Sequence, residues 1–297
     1  MNELQVINDK ISGLFDAGNP FSIIRIGNME GYFIDCFFRQ TVPLEEFHYW
    51  LSLTSGVYPM DPRYLTTIWL NENIKAIDNA DVLGFVDVSG EVERNTVFVE
   101  AHCKDKFSVY GVKKIEILDP GVILNREIIS NPWTKNLKGK KVLVVSSHYD
   151  SIKLQWDKMK DIWGDYLEEI APFDLVDVIR SPFHPQMDDR QFENCYSWDQ
   201  SLQYMKNQID QYDYDVLLVG AAAYSPGLAN HAKENGKIGI TLCGAIQLYF
   251  GILGSRWTTQ EYYKDWLKLF NNNWIYTLES DLPKNKNVFD RFEKAYW

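Results

Sequence analysis

The chain has 297 residues, 45% of them apolar and 24% charged, which is enough to bury a large core and far from the composition of disordered chains. Its 30 basic and 41 acidic side chains leave a net charge of −11, which argues against nucleic-acid backbones as partners. Anionic ligands are left to local devices such as a few arginines and helix N-termini. The aromatic count is high, with 10 Trp, 17 Tyr and 16 Phe, and is read first as core and second as stacking platforms for sugars or bases.

In chain order, apolar residues at Leu4, Ile7, Ile11, Leu14 and Phe15 predict an amphipathic helix over 3–17, ended by Gly18-Asn19-Pro20. Phe21 to Ile26 is a short β-rich run that stops at Gly27, and Met29 to Phe38 follows as a helix, giving a strand, tight turn and helix unit. Further strands are predicted at Val82 to Val88, Lys114 to Leu118, Lys141 to Val145, Leu175 to Ile179, Val216 to Val219 and Ile238 to Leu242. Helix-sized segments separate most of them, and Ser225-Pro226 opens a helix running over 227–235. From Thr258 onward, Tyr262, Tyr263, Trp266, Leu267, Leu269 and Phe270 suggest an amphipathic helix. Its apolar face packs on the body by default, the alternatives being a homo-oligomer contact or a peripheral membrane contact.

Strands alternating with helices, several of them continuous apolar runs, predict an α/β protein: a Rossmann-like layered fold with a mostly parallel sheet flanked by helices. Residues 1–297 are expected to form a single domain, with a soft two-lobe boundary near 132–141. Cys36, Cys103, Cys195 and Cys243 lie far apart in sequence without zinc spacing and are expected to be reduced thiols. There is no secretory start and no apolar run of membrane-crossing length, so the expected location is the cytoplasm.

In open parallel sheets ligands collect at the C-terminal strand ends, which directs attention to four turns. After the first strand, Gly27 permits a close ligand approach, Asn28 can cap the helix and Glu30 sits where the helix dipole favours a carboxylate. Arg25 lies within an apolar strand and should meet either Glu30 or a ligand phosphate. The second turn holds Ser146, Ser147, His148 and Asp150. Sequence neighbours rarely form a nucleophilic triad, so phosphate or ribose contacts from the two serines are the preferred role. The third, Gly220 to Gly227 with Tyr224, is small enough to admit a ligand close to backbone, and Cys243-Gly244-Ala245 is the fourth. His231 reads as a solvated-face residue, His184 to Asp189 as a polar loop suited to a lid, and His48 and His102 have no assigned partner. Neither G-x-G-x-x-G nor G-x-x-x-x-G-K-[ST] occurs, which disfavours NAD-linked and P-loop enzymes, and neither haem nor zinc is expected.

Three stretches carry a resemblance. They are Arg25-x-Gly27-x-x-Glu30, the run from Asn125-Arg126-Glu127 through Trp133 to Leu137-Lys138-Gly139-Lys140-Lys141-Val142, and Cys243-Gly244-Ala245-Ile246-Gln247 through Gly251 to Gly254-Ser255-Arg256-Trp257. Together they resemble bacterial GT-D type glycosyltransferases, over a span from about 21 to 257. The resemblance implies transfer of a sugar from a nucleotide-sugar donor, a UDP-sugar first, to a glycan or lipid-linked acceptor in surface-polysaccharide or glycoconjugate biosynthesis. It also implies a Mn2+ or Mg2+ ion on an Asp-x-Glu pair. Here that pair is Asn28-x-Glu30, which gives the ion one negative charge fewer, and Cys243-Gly244 stands where some members carry a histidine. By the same resemblance Glu30 takes the catalytic or metal-linked role. Arg25, Gly27, Asn28, Ser146, Ser147, Gly220, Gly244, Gln247 and Arg256 serve donor binding, and Tyr224, Tyr249 or Trp257 supply a stacking wall. The alternatives are a non-catalytic nucleotide-sugar-binding or assembly protein of the same fold, or a pyruvyl-type transferase acting on polysaccharide precursors.

Overall fold

The computed structural model describes residues 2–40, 49, 51–52, 55–85, 103, 105–182 and 192–282. Seven strands form one sheet: β1 (Ser22–Ile26), β2 (Val82–Phe85), β3 (Phe107–Tyr110), β4 (Lys141–Ser146), β5 (Asp174–Arg180), β6 (Val216–Gly220) and β7 (Ile238–Thr241). Their order is β3-β2-β1-β7-β6-β4-β5 and every pairing is parallel, so the sheet runs unbroken across 132–141. A small parallel ladder of β8 (Ile252–Leu253) and β9 (Ile275–Tyr276) lies apart from it.

Burial on both faces explains the continuous apolar runs. Ile23, Val142, Val144, Val216, Leu218 and Ile240 face one core, and Ile24, Ile26, Leu143, Val145, Leu217 and Val219 face the other, as the two-residue strand period requires. The first core is covered by α1 (Glu3–Ala17), the turns of 112–137, α4 (Tyr149–Trp156), and the 242–274 segment. The second is covered by α2 (Asn28–Arg39), α3 (Leu70–Asn79), α5 (Trp198–Ile209) and α6 (Ser225–Glu234). α6 lies so close to β7 that a Cβ on Gly239 would stand 2.7 Å from the Ala229 backbone.

Two predicted elements differ. The strand expected at Lys114 to Leu118 is instead a helical turn, Val112–Ile115, followed by a 3-10 turn, Glu116–Leu118, and the strand lies just before, at Phe107–Tyr110. Gly111, at φ +87°, turns the chain out of the sheet, and Ile115, Ile117 and Leu118 then all enter the same core, which an extended strand could not arrange. The helix expected after Thr258 is a run of 3-10 turns over Glu261–Lys268, with Trp266 buried beside Trp257 and Leu267 exposed. The end of the predicted second strand, 86–88, lies outside the described residues, as do His48, His102 and 184–189. Among the described residues no helix is long and apolar enough to cross a membrane.

Candidate functional site

The layering places a topological switch point between β1 and β7. The connection after β1 enters α2 on one face of the sheet. The connection after β7, through Cys243–Ala245 and Ile246–Tyr249, goes to the other. Adjacent strands whose connections part in this way leave a cleft at their C-terminal ends, where ligands bind in open α/β sheets. Backbone pairing holds only at Ser22↔Gly239 and Ile23↔Ile240. Beyond it the Thr241 hydroxyl substitutes for the ladder, accepting from the Arg25 backbone N–H and donating to the Ile23 carbonyl at 3.1 Å.

Arg25 stands at this opening with 11% of its side chain exposed. Its Nη1 donates to the Leu242 carbonyl at 2.9 Å and lies 3.6 Å from Asp119 Oδ2. The partner expected to be Glu30 or a ligand is therefore Asp119. The Asp119 carboxylate caps the Pro120–Asn125 turns, accepting from the Gly121 N–H at 2.9 Å. Burial pushes its pKa up to about 7 against the opposing pull of the Arg25 charge and the Gly121 amide. Arg25 Nε is buried without a hydrogen-bond partner among the described residues.

Glu30 is the third residue of α2, and its carboxylate folds back over Gly27. A Cβ on Gly27 would meet Glu30 Cδ at 2.9 Å and collide with Oε2. Ser55 and the Glu30 backbone N–H hydrogen-bond the carboxylate, while burial, the larger effect, raises its pKa. Asn28, at the first position of α2, is exposed. Cys243 holds φ +51°, a conformation costly for a side-chain-bearing residue, and its Sγ donates to the Arg25 carbonyl at 3.7 Å. Burial pushes that thiol up to about 11, opposed by the charges of Arg25 and Arg256 and reinforced by those of Glu30 and Asp119. Arg256 is half-buried with its guanidinium 5.4 Å from the Trp257 ring centre. Gly244 is half-buried in the turn that begins at Cys243.

Other predicted site residues are not at this opening. Tyr224 is buried and stacked on Trp198 with ring centres 5.5 Å apart, so it has no free face for a base or sugar. Tyr249 and Trp257 are likewise core residues, and Trp257 Nε1 donates to Gln247 Oε1 at 3.3 Å within the interior. Gly220 accommodates the protein itself rather than a ligand: a Cβ there would stand 2.7 Å from the Cys243 carbonyl oxygen and overlap Ile246. His231 is not on a solvated face but sits 16% exposed with Nε2 2.7 Å from Asp210.

Ser146 and Ser147 lie at the second place where connections part, between β4 and β6. Ser146 is buried and its Oγ accepts from the His148 N–H at 3.2 Å, while Ser147 is half-buried. The C-terminal segment fills this region. Asp281 accepts from the Asp150 and Ser151 N–H groups at 3.0 and 2.7 Å, and its Oδ1 lies 3.2 Å from Arg180 Nη1. Asp150 pairs with Arg180 at 2.9 Å and His148 faces Thr277 at 3.3 Å, so each of these side chains has a structural partner in place of a triad.

Asn28 and Glu30 do not fit a bridging cation. Two residues apart on a helix, they point to different sides, one to solvent and one back over Gly27. Among the described residues no group of three or more His, Cys, Asp or Glu side chains could hold a metal ion. Asp119 escaped the sequence reading because Asp119-Pro120-Gly121 carries only the signal of a helix cap. Its one hint of function is that an arginine within an apolar strand needs a partner. In comparisons with known proteins the chain matches no family model, no curated protein and no solved structure.

Proposed function

We propose that the protein is a glycosyltransferase that moves a sugar from a nucleotide-sugar donor, a UDP-sugar in the first instance, to a glycan or lipid-linked acceptor on the cytoplasmic side of glycoconjugate assembly. The observation that carries this proposal is the meeting of Arg25 with Asp119 at the β1/β7 opening, next to the Glu30 carboxylate folded over Gly27, in a chain whose overall charge is strongly negative. In the reaction the bond from the sugar's anomeric carbon to the diphosphate oxygen breaks, and its electron pair leaves with the nucleotide. The acceptor oxygen bonds to the same carbon and gives up its proton. Arg25 and Arg256 offset the charge growing on the leaving diphosphate. Glu30, half-buried at the opening and made a stronger base by burial of its carboxylate, takes the acceptor's proton. Asp119, further inside, fixes the Arg25 guanidinium.

The test is turnover of a panel of nucleotide sugars by the wild type and by Glu30→Gln. The variant should lose at least about 100-fold in rate while keeping its melting temperature, because removing a general base costs on the order of 10²–10⁴. Undiminished transfer by Glu30→Gln would remove Glu30 from the mechanism. The turned-back Glu30 and the amide at Asn28 favour one second possibility, a nucleotide-sugar-binding protein without catalysis. Donor binding with no turnover under any metal identifies that case.

A further inference from the structure

A helix N-terminus at a sheet switch point is the natural seat for a phosphate, because its first amides have no partners within the helix. At α2 that seat is taken. Gly27, the residue before the helix, has no side chain to cap it, and the Glu30 carboxylate lies over its Cα and bonds back to the Glu30 N–H. A phosphate arriving over Gly27 would meet a like charge in the same few ångströms. Beside the seat, Arg25 carries a buried Nε without a partner among the described residues, and Arg256 follows in the segment that leaves β7, its guanidinium 5.4 Å from the ring of Trp257, which bonds Gln247 four residues past Cys243. The chain thus brings cationic side chains of its own, Arg25 shared with Asp119, and the two residues expected to hold a metal point apart.

We propose that a diphosphate enters this opening by displacing the Glu30 carboxylate from the N-terminus of α2, and that Arg25 and Arg256 hold it without a bridging divalent cation. Resting on the donor class proposed above, the inference gives Glu30 two successive positions. In the empty protein it caps α2. Once the diphosphate occupies the amides, its carboxylate is released toward the acceptor, so donor binding precedes formation of the base.

Calorimetric titration of UDP and of inorganic pyrophosphate tests this, in EDTA and in Mn2+, on the full chain and on Glu30→Gln, Arg256→Met and Arg256→Lys, each checked by thermal melting. The wild type should bind both ligands in EDTA, with Mn2+ changing affinity less than about twofold. Glu30→Gln should bind about fivefold more tightly, since a neutral amide competes less well for the helix amides. Arg256→Met should bind about tenfold more weakly, with Arg256→Lys between, as loss of one charge-assisted contact implies. Binding that requires Mn2+, or affinity that is unchanged or weaker in Glu30→Gln, overturns the displacement while leaving the donor class standing. Failure of UDP and pyrophosphate to bind under any condition overturns the donor class itself.

Discussion

Replacing Arg25 by Met tests the electrostatics of the opening in isolation, because the effect must depend on pH in a defined way. An aspartate titrates near 4 in the unfolded chain, whereas burial holds Asp119 near 7 in the folded one. Folding therefore takes up a proton between about pH 4 and 7. This group's contribution to stability falls as pH rises through that window and is level above it. Arg25 is the positive charge that keeps the value from rising further. In Arg25→Met the folded carboxyl stays protonated to higher pH, so the decline continues beyond 7 at about 1.4 kcal/mol per pH unit. At pH 5.5 Asp119 is neutral in both proteins, and the variant loses mainly the 2.9 Å bond from Nη1 to the Leu242 carbonyl, a cost of about 1.5–3 kcal/mol that is partly offset by no longer burying a guanidinium. Between pH 7 and 8.5 the difference from wild type should grow by about 2 kcal/mol. Urea unfolding followed by tryptophan fluorescence at pH 5.5, 7 and 8.5 measures it, and other titrating groups cancel in the difference. A destabilisation equal at all three pH values would refute the pairing of Arg25 with Asp119, as would its growth with pH persisting when Asp119→Asn is combined with Arg25→Met.

Gly239→Ala should destabilise by about 1–3 kcal/mol or more in chemical denaturation, because the new methyl meets Ala229 backbone, which cannot rotate away. By contrast, Gly27→Ala meets the end of a movable side chain. It should change stability by less than about 1 kcal/mol while expelling the Glu30 carboxylate, which hydrogen exchange at the start of α2 would register. Asp281→Ala removes a cap that receives two N–H groups of α4 and faces Arg180. It should cost about 2 kcal/mol and raise hydrogen exchange over 273–282, and unchanged exchange there would show that the segment is held by other contacts.

Much of the architecture was legible in the sequence because it rests on local periodicity. The run Val142 to Val145 could be assigned to a doubly covered strand, and the Gly18 and Gly27 breaks bracketed β1, since burial on two faces and φ > 0 at a helix end are properties of a few consecutive residues. Gly111 is equally local, yet the sequence favours a strand after it where the structure has one before it, because Ile115, Ile117 and Leu118 suit a strand and a packed turn alike until the neighbouring core is known. Aromatic residues mislead for the same reason: Tyr224 and Trp257 look like platforms beside promising turns, but only packing shows that Trp198 and Gln247 already occupy them.

From the sequence by itself followed the class of fold, the C-terminal strand ends as the place to search, and Arg25, Gly27 and Glu30 as the residues to search for. Tertiary structure alone decided the partners. It brought Asp119 from 94 positions away in the chain to Arg25, turned Glu30 onto Gly27, and closed the β4/β6 opening with Asp281. The physical reason is that periodicity and capping are encoded over a few residues. A buried charge, in contrast, selects its counter-charge by distance in space, which the chain sets only when the whole sheet has assembled.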